Sequence, residues 1–205
     1  MGDDLDNFIE ELQTRIFEEM KAAYGNVGFE RWRNPLFKGR MDNPDGYGRI
    51  AGLCGDTMEI YLQFKNGKVK KATFQNDGCG SSTICGSFAA ELALGKGPDE
   101  LIHISGENIL NILGAMPEGD RHCAILAAET LQEALNDYMV KSNKMRVKED
   151  ELEKEIRKLE EKLKDREKAL PAQSIQLQQR LWIEGLDTMI EEKKKELAEL
   201  KKEKP

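Results

Sequence analysis

The composition of this chain breaks near residue 141, and that break limits its folds more than any other feature. Before it lie all four cysteines and every glycine but one; after it Lys and Glu dominate and Gly185 is the single glycine. Leu152, Ile156, Leu159 and Leu163 are spaced four, three and four, and Leu170 completes the next heptad around Arg166. A second series, Leu186, Ile190, Leu197 and Leu200, resumes after Pro171, with Lys193 at its missing seam position. Two helices are expected. They either fold back at Pro171 and Ala172 to Ser174 into an antiparallel coiled-coil hairpin, or pair with another chain and make a dimer. On both readings the segment is an interaction arm rather than a catalytic domain.

The rest of the 205 residues suffices for one core of ordinary size. The net charge of -7 argues against a nucleic-acid backbone as main partner and favours a basic protein surface. No apolar run is long enough to span a bilayer, and the start Met1-Gly2-Asp3-Asp4 is acidic where a secretory signal is basic, so no membrane partner and a cytoplasmic location are expected. Four cysteines in such a setting point to metal or redox chemistry rather than a disulfide framework.

Residues 3–24 carry Leu5, Phe8, Ile9, Leu12, Ile16, Phe17 and Met20 at helical spacing, which predicts an amphipathic helix. From Gly25 to about Gly48, glycine, Asn34-Pro35 and Asn43-Pro44 predict a loop pinned by Trp32, Leu36 and Phe37. Met58, Ile60, Leu62 and Phe64 alternate with polar residues as in a half-buried strand, and Asn66-Gly67 is a hairpin turn. The returning strand slips its alternation between Val69 and Ala72, which signals a bulge; Tyr47 to Leu53 supplies a third strand. Helices follow from Gly80, capped by Ser81 or Ser82, from Pro98 to Ile102 and from Glu107 to Leu113. A longer one, capped by Asp120, has a stripe from Ala124 to Tyr138 that fits over the sheet.

The chemistry is concentrated in Cys54-Gly55-Asp56, Gly78-Cys79-Gly80 and His122-Cys123. On an extended chain Cys54 and Asp56 leave the same face and can meet one ion, with Gly55 removing a side chain that would block approach. Cys79 precedes a helix start, where unpaired backbone N–H groups favour thiolate, and Cys123 repeats that placement. Neighbouring helical residues point about 100° apart, so His122 and Cys123 are not expected to bind one ion side by side; either they alternate as ligands or one ligates while the other accepts sulfur, and they make a poor base and nucleophile. Cys85, near Ile84 and Phe88 on a helix, reads as a small core residue. Thiolates with one carboxylate and one histidine suit zinc, ferrous iron or an iron–sulfur cluster.

In order, Asn34-Pro35, Gly39, Met41-Asp42, Cys54-Gly55-Asp56, Gly78-Cys79-Gly80-Ser81 and His122-Cys123 resemble the NifU/IscU-type iron–sulfur cluster assembly scaffolds over residues 30–141. The resemblance implies an α+β fold with a three-stranded antiparallel sheet packed by helices, carrying here a C-terminal helical coiled-coil extension. It divides the chain into a helix and linker (1–29), the scaffold domain (30–141) and the arm (142–205). It implies a carrier rather than an enzyme: a scaffold that builds a transient [2Fe-2S] cluster from ferrous iron and desulfurase-derived sulfur and hands it to acceptor apoproteins. Cys54, Cys79 and Cys123 would be cluster ligands and Asp56 the residue that keeps the cluster labile. His122 would be an alternative ligand, Cys123 the sulfur acceptor, and zinc an occupant of the apo form. Met116-Pro117-Glu118-Gly119-Asp120 stands where chaperone-served members carry Leu-Pro-Pro-Val-Lys, so the resemblance does not carry chaperone-driven release to this chain. The rival reading is a zinc-bound structural or adaptor module that recruits partners through its arm.

Overall fold

A computed structural model describes residues 2–169 and 177–202. Two compact units divide them, one ending at Met139 and one starting at Val140.

The first unit is built on a three-stranded antiparallel sheet in the order β1 (Gly46–Ala51), β2 (Thr57–Lys65) and β3 (Lys68–Asn76). Alternation on β2 sends Met58, Ile60, Leu62 and Phe64 to one face, where all four are buried. Val69, Ala72 and Phe74 of β3 join them. Gln63 pairs with Lys71 and Phe64 with Val69, so Lys70 is the extra residue of a bulge inside the predicted interval. Each such Met, Ile, Leu or Phe contributes about 1.5–3 kcal/mol by leaving water.

Helices cover that face. α2 (Gly80–Ala93) brings Ile84, Cys85, Phe88 and Ala89, all buried. Its N-cap is Cys79, not Ser81 or Ser82; Ser82 turns its hydroxyl back to donate to the Cys79 carbonyl at 2.9 Å. After the short helices α3 (Pro98–Leu101) and α4 (Gly106–Leu113) comes α5 (His122–Ala169). Its predicted stripe, Ala124, Ala127, Ala128, Leu131, Ala134, Leu135 and Tyr138, is buried throughout, and the Tyr138 ring stacks on Phe64 with centroids 3.7 Å apart. Asp137 anchors the same helix to β1 by accepting the Tyr47 N–H at 2.9 Å.

The loop expected from Gly25 is a helix as far as Arg33. α1 (Gly2–Arg33) kinks at Gly25, whose φ of 65° lies outside the helical region, and resumes. Local composition is overruled there by packing: Phe29 is buried, Phe17 meets Phe29 and Trp32 edge-on, and Arg31 lies over the Phe88 ring while bonding Ser87. The true loop then runs along β3, with Phe74 N–H donating to Phe37 O and Gly39 N–H to Phe74 O. Leu36 does not pin it; that side chain is exposed, and Met41 is buried instead.

In the second unit the α5 stretch 148–160 lies antiparallel to α6 (Leu177–Lys202): Lys148 pairs with Glu196, Glu155 with Lys193, and Glu149 and Glu153 with Lys201. Leu152, Ile156, Leu186, Ile190 and Leu200 are its buried seam. Both polar interruptions have partners: Lys193 bonds Glu155 at 3.0 Å, and Arg166 lies over the Trp182 ring. The reversal expected at Pro171 and Ala172 to Ser174, and the seam residue Leu170, lie outside the described residues. Among the described residues no helix is long and apolar enough to cross a membrane.

Candidate metal centre

The site gathers where β1 hands over to β2 and where α2 and α5 begin. Residues 52–56 form a turn closed by the Gly52 N–H to Asp56 O bond at 2.8 Å, not the extended segment expected. Gly55 adopts a φ of 88°, and a Cβ there would meet nothing within 4 Å, so the glycine serves the turn rather than access. The turn leaves Cys54 exposed and aims Asp56 at the N-terminus of α2.

There the Cys79 N–H donates to Asp56 Oδ2 at 3.1 Å. A Cβ on Gly78 would lie 2.2 Å from that carboxylate, so only glycine admits it. The Cys79 N–H holds the Asp56 carboxyl below the ordinary carboxylate range, with help from the thiols of Cys79 and Cys54 and the Ser82 hydroxyl. The Asp56 carboxylate, Cys79 Sγ and Cys123 Sγ all lie within 4.8 Å of one another. Two sulfurs on one tetrahedral zinc or iron stand about 3.8 Å apart, so a small contraction would close the three on one ion.

Cys54 is outside this tight trio, yet its thiol bears on both Asp56 and Cys123. His122 lies beside Cys123. Its Nδ1 lies 2.7 Å from the Gly119 carbonyl and its Nε2 3.5 Å from Cys123 Sγ. A carbonyl can only accept, so the neutral ring carries its proton on Nδ1 and turns the Nε2 lone pair toward the sulfur. The expectation that the two side chains diverge is therefore wrong, because His122 is the first residue of α5 and its ring folds back over the preceding turn. At Cys123 burial opposes the thiolate that the helix start favours. Burial pushes that thiol up to about 12, with the Ser81 hydroxyl opposing. Helix-end charge is the weaker effect once water is removed.

Three residues escaped the sequence reading as parts of the site. Ser81 Oγ sits 2.9 Å from Cys79 Sγ and 3.6 Å from Cys123 Sγ, a placement that its position two residues after Cys79 could have suggested. Tyr24 donates to Asp120, and its phenol also bears on Ser81. Asp120 thus takes a long-range partner in place of the capping role expected of it. Cys85 is buried in the core, as its neighbours suggested, and desolvation raises its pKa.

Such a sheet, with two thiols and a carboxylate converging at its end, offers the donor set of a metal-binding domain. Residues 23–145 match the NifU-like N terminal domain, and the chain belongs to that family of NifU/IscU-type iron–sulfur cluster assembly scaffolds. It is 35% identical over 139 residues to iron-sulfur cluster assembly scaffold protein IscU 1 of Archaeoglobus fulgidus, covering 67% of this chain and 91% of that one. It is 35% identical over 128 residues to iron-sulfur cluster assembly enzyme IscU of Drosophila melanogaster, covering 60% and 82%. A solved NifU-like protein (N-terminal) from Brucella abortus aligns with a TM-score of 0.48 at 21% identity, over 59% of this chain and 97% of that one.

Proposed function

We propose that this protein assembles an iron–sulfur cluster as cargo, using Asp56, Cys79 and Cys123 as the central donors with Cys54 and His122 at the rim. The observation that carries this reading is the mixed trio itself. Two sulfurs and one carboxylate meet within 4.8 Å, while the remaining sulfur stands on an exposed turn beside them. A resident structural zinc is usually enclosed by sulfur and nitrogen; a hard oxygen donor in place of a thiolate weakens the hold on a cluster and suits release.

Sulfur would come from a cysteine desulfurase. The Cys123 thiolate attacks the outer sulfur of the enzyme's persulfide, an S–S bond forms on Cys123, and the enzyme's thiolate leaves. Two electrons from an external reductant then convert each delivered sulfur to sulfide. Cys123 is buried, so docking must displace what covers it. His122 Nε2, 3.5 Å away, can take the thiol proton. The protein acts as a carrier: no covalent change to it survives a cycle. Residues 30–141 would be the scaffold, residues 1–29 a docking helix and linker, and residues 142–205 an arm for a second copy or another partner. Four free cysteines are in keeping with a reducing compartment such as the cytoplasm.

The test is anaerobic reconstitution with ferrous iron, cysteine and a desulfurase. A sulfur-to-iron charge-transfer band is expected to form and then to move to an apo-ferredoxin. Cys79→Ser and Cys123→Ser should abolish the band while leaving the amide spectrum native. Tight zinc with no such band, and unfolding on chelation, would instead establish the adaptor reading.

A further inference from the structure

We propose that Tyr24 is a positioning residue for the ligand set: one phenol, carried on α1, ties the first turn of α2 to the turn before α5 and thereby fixes His122 against Cys123. The inference rests on the assembly reading above, because it concerns how the same donors are held.

Tyr24 is buried, one residue before the kink at Gly25. Its hydroxyl donates to Asp120 Oδ2 and lies against Ser81. Each partner leads to a ligand. Ser81 Oγ touches both Cys79 Sγ and Cys123 Sγ. Asp120 closes the 3-10 turn Glu118–Asp120, whose middle residue presents the carbonyl that accepts a hydrogen bond from His122 Nδ1. Among the described residues the turn also carries the Arg121–Glu118 pair, 3.7 Å long and open to water, which is screened by solvent and does not anchor the turn to the core. Asp120 does, through Tyr24. The path from phenol to carboxylate to turn to imidazole is the arrangement by which outer groups orient a metal-ligating histidine and fix its tautomer.

Phenylalanine at position 24 keeps the ring and removes only the hydroxyl. The full-length metal-free protein is labelled with 15N and the ring nitrogens of His122 are read by NMR in a His103→Asn background, which leaves one histidine. Zinc affinity is read by competition with a chromophoric chelator, and the amide spectrum reports the fold. Wild type is expected to show the Nδ1-protonated tautomer alone. Tyr24→Phe and Asp120→Ala should each give a mixture of tautomers and bind zinc about 10-fold more weakly. The double variant should be no worse than either, while Asp120→Asn, which still accepts the hydroxyl, should stay close to wild type. A Tyr24→Phe protein with wild-type tautomer and affinity overturns the proposal, as do additive effects in the double variant. If Tyr24→Phe does not fold, Asp120→Ala decides by the same two readouts. Wild type that takes up no zinc or iron counts against the assembly reading, and the tautomer still decides this one.

Discussion

In the domain, Asp56 sits half-buried against one backbone N–H, in a space that exists only because residue 78 has no side chain; in the hairpin, Lys193 and Lys201 each meet two glutamates, and of the six side chains only that of Glu149 is largely covered. The domain thus places its polar groups by single close approaches between segments far apart in sequence. The hairpin places them by repetition along two helices. A change at one position should be decisive in the first and diluted in the second.

Raising the pH should separate the two regions most. Burial favours the protonated forms of Cys123, pushed up to about 12, and of Cys85 and Tyr24. The folded domain therefore holds protons that the unfolded chain loses above the ordinary cysteine value, near 9. Stability is intact below that pH and falls as the pH climbs through the folded values. In the hairpin, Lys193, Lys194 and Lys201 are raised by their glutamates from 10.5, so the loss has the same sign but starts higher. Trp32 fluorescence in a Trp182→Phe background should change before Trp182 fluorescence in a Trp32→Phe background. A single coincident transition starting above 10.5 would remove the distinction.

Core truncations come next. Phe74→Ala is expected to cost the domain about 3–5 kcal/mol in urea unfolding, because its fully buried ring packs under Gly86. Ile156→Ala should cost the hairpin about 2 kcal/mol, at the low end for its type, since a two-helix seam is open on both sides. Equal losses would show the seam to be packed like a core. Glu155→Gln should lower hairpin stability only slightly, because the pair with Lys193 is screened by solvent, and 1 M salt should erase the effect. Smallest of all, removing residues 142–205 should leave the domain's amide spectrum and zinc uptake unchanged; a truncated chain that does not fold would mean that the two regions share one core.

How much of this the sequence carried follows the same division. The β2 alternation, the Asn66-Gly67 turn, the slip at Lys70 and the α5 stripe are periodic signals, and all four read directly. The helix beyond Gly25 did not, because its reason lies in Phe29, Trp32 and Arg31 meeting Phe17 and α2. The proposed site residues Cys54, Asp56, Cys79, His122 and Cys123 stood out as motifs, but their geometry did not, and only Asp56, Cys79 and Cys123 form the close group. The facing of His122 and Cys123 depends on a ring rotation set by the Gly119 carbonyl, and the burial of Cys123 on what α2 lays over it. Tyr24 and Asp120 are 96 residues apart and have no shared pattern to betray them.

The uneven exposure of the four cysteines also sets how the molecule ages in air. Cys54 and Cys79 stand in water, whereas Cys85 and Cys123 are enclosed and hold their protons. Peroxide reaches accessible sulfur first, so damage should begin at Cys54 and Cys79 and reach Cys85 and Cys123 last. An oxidised preparation would then keep its fold, its Cys85 and its native spectrum while having lost the ability to take up cargo, and shape alone would be a poor measure of whether a sample is still competent.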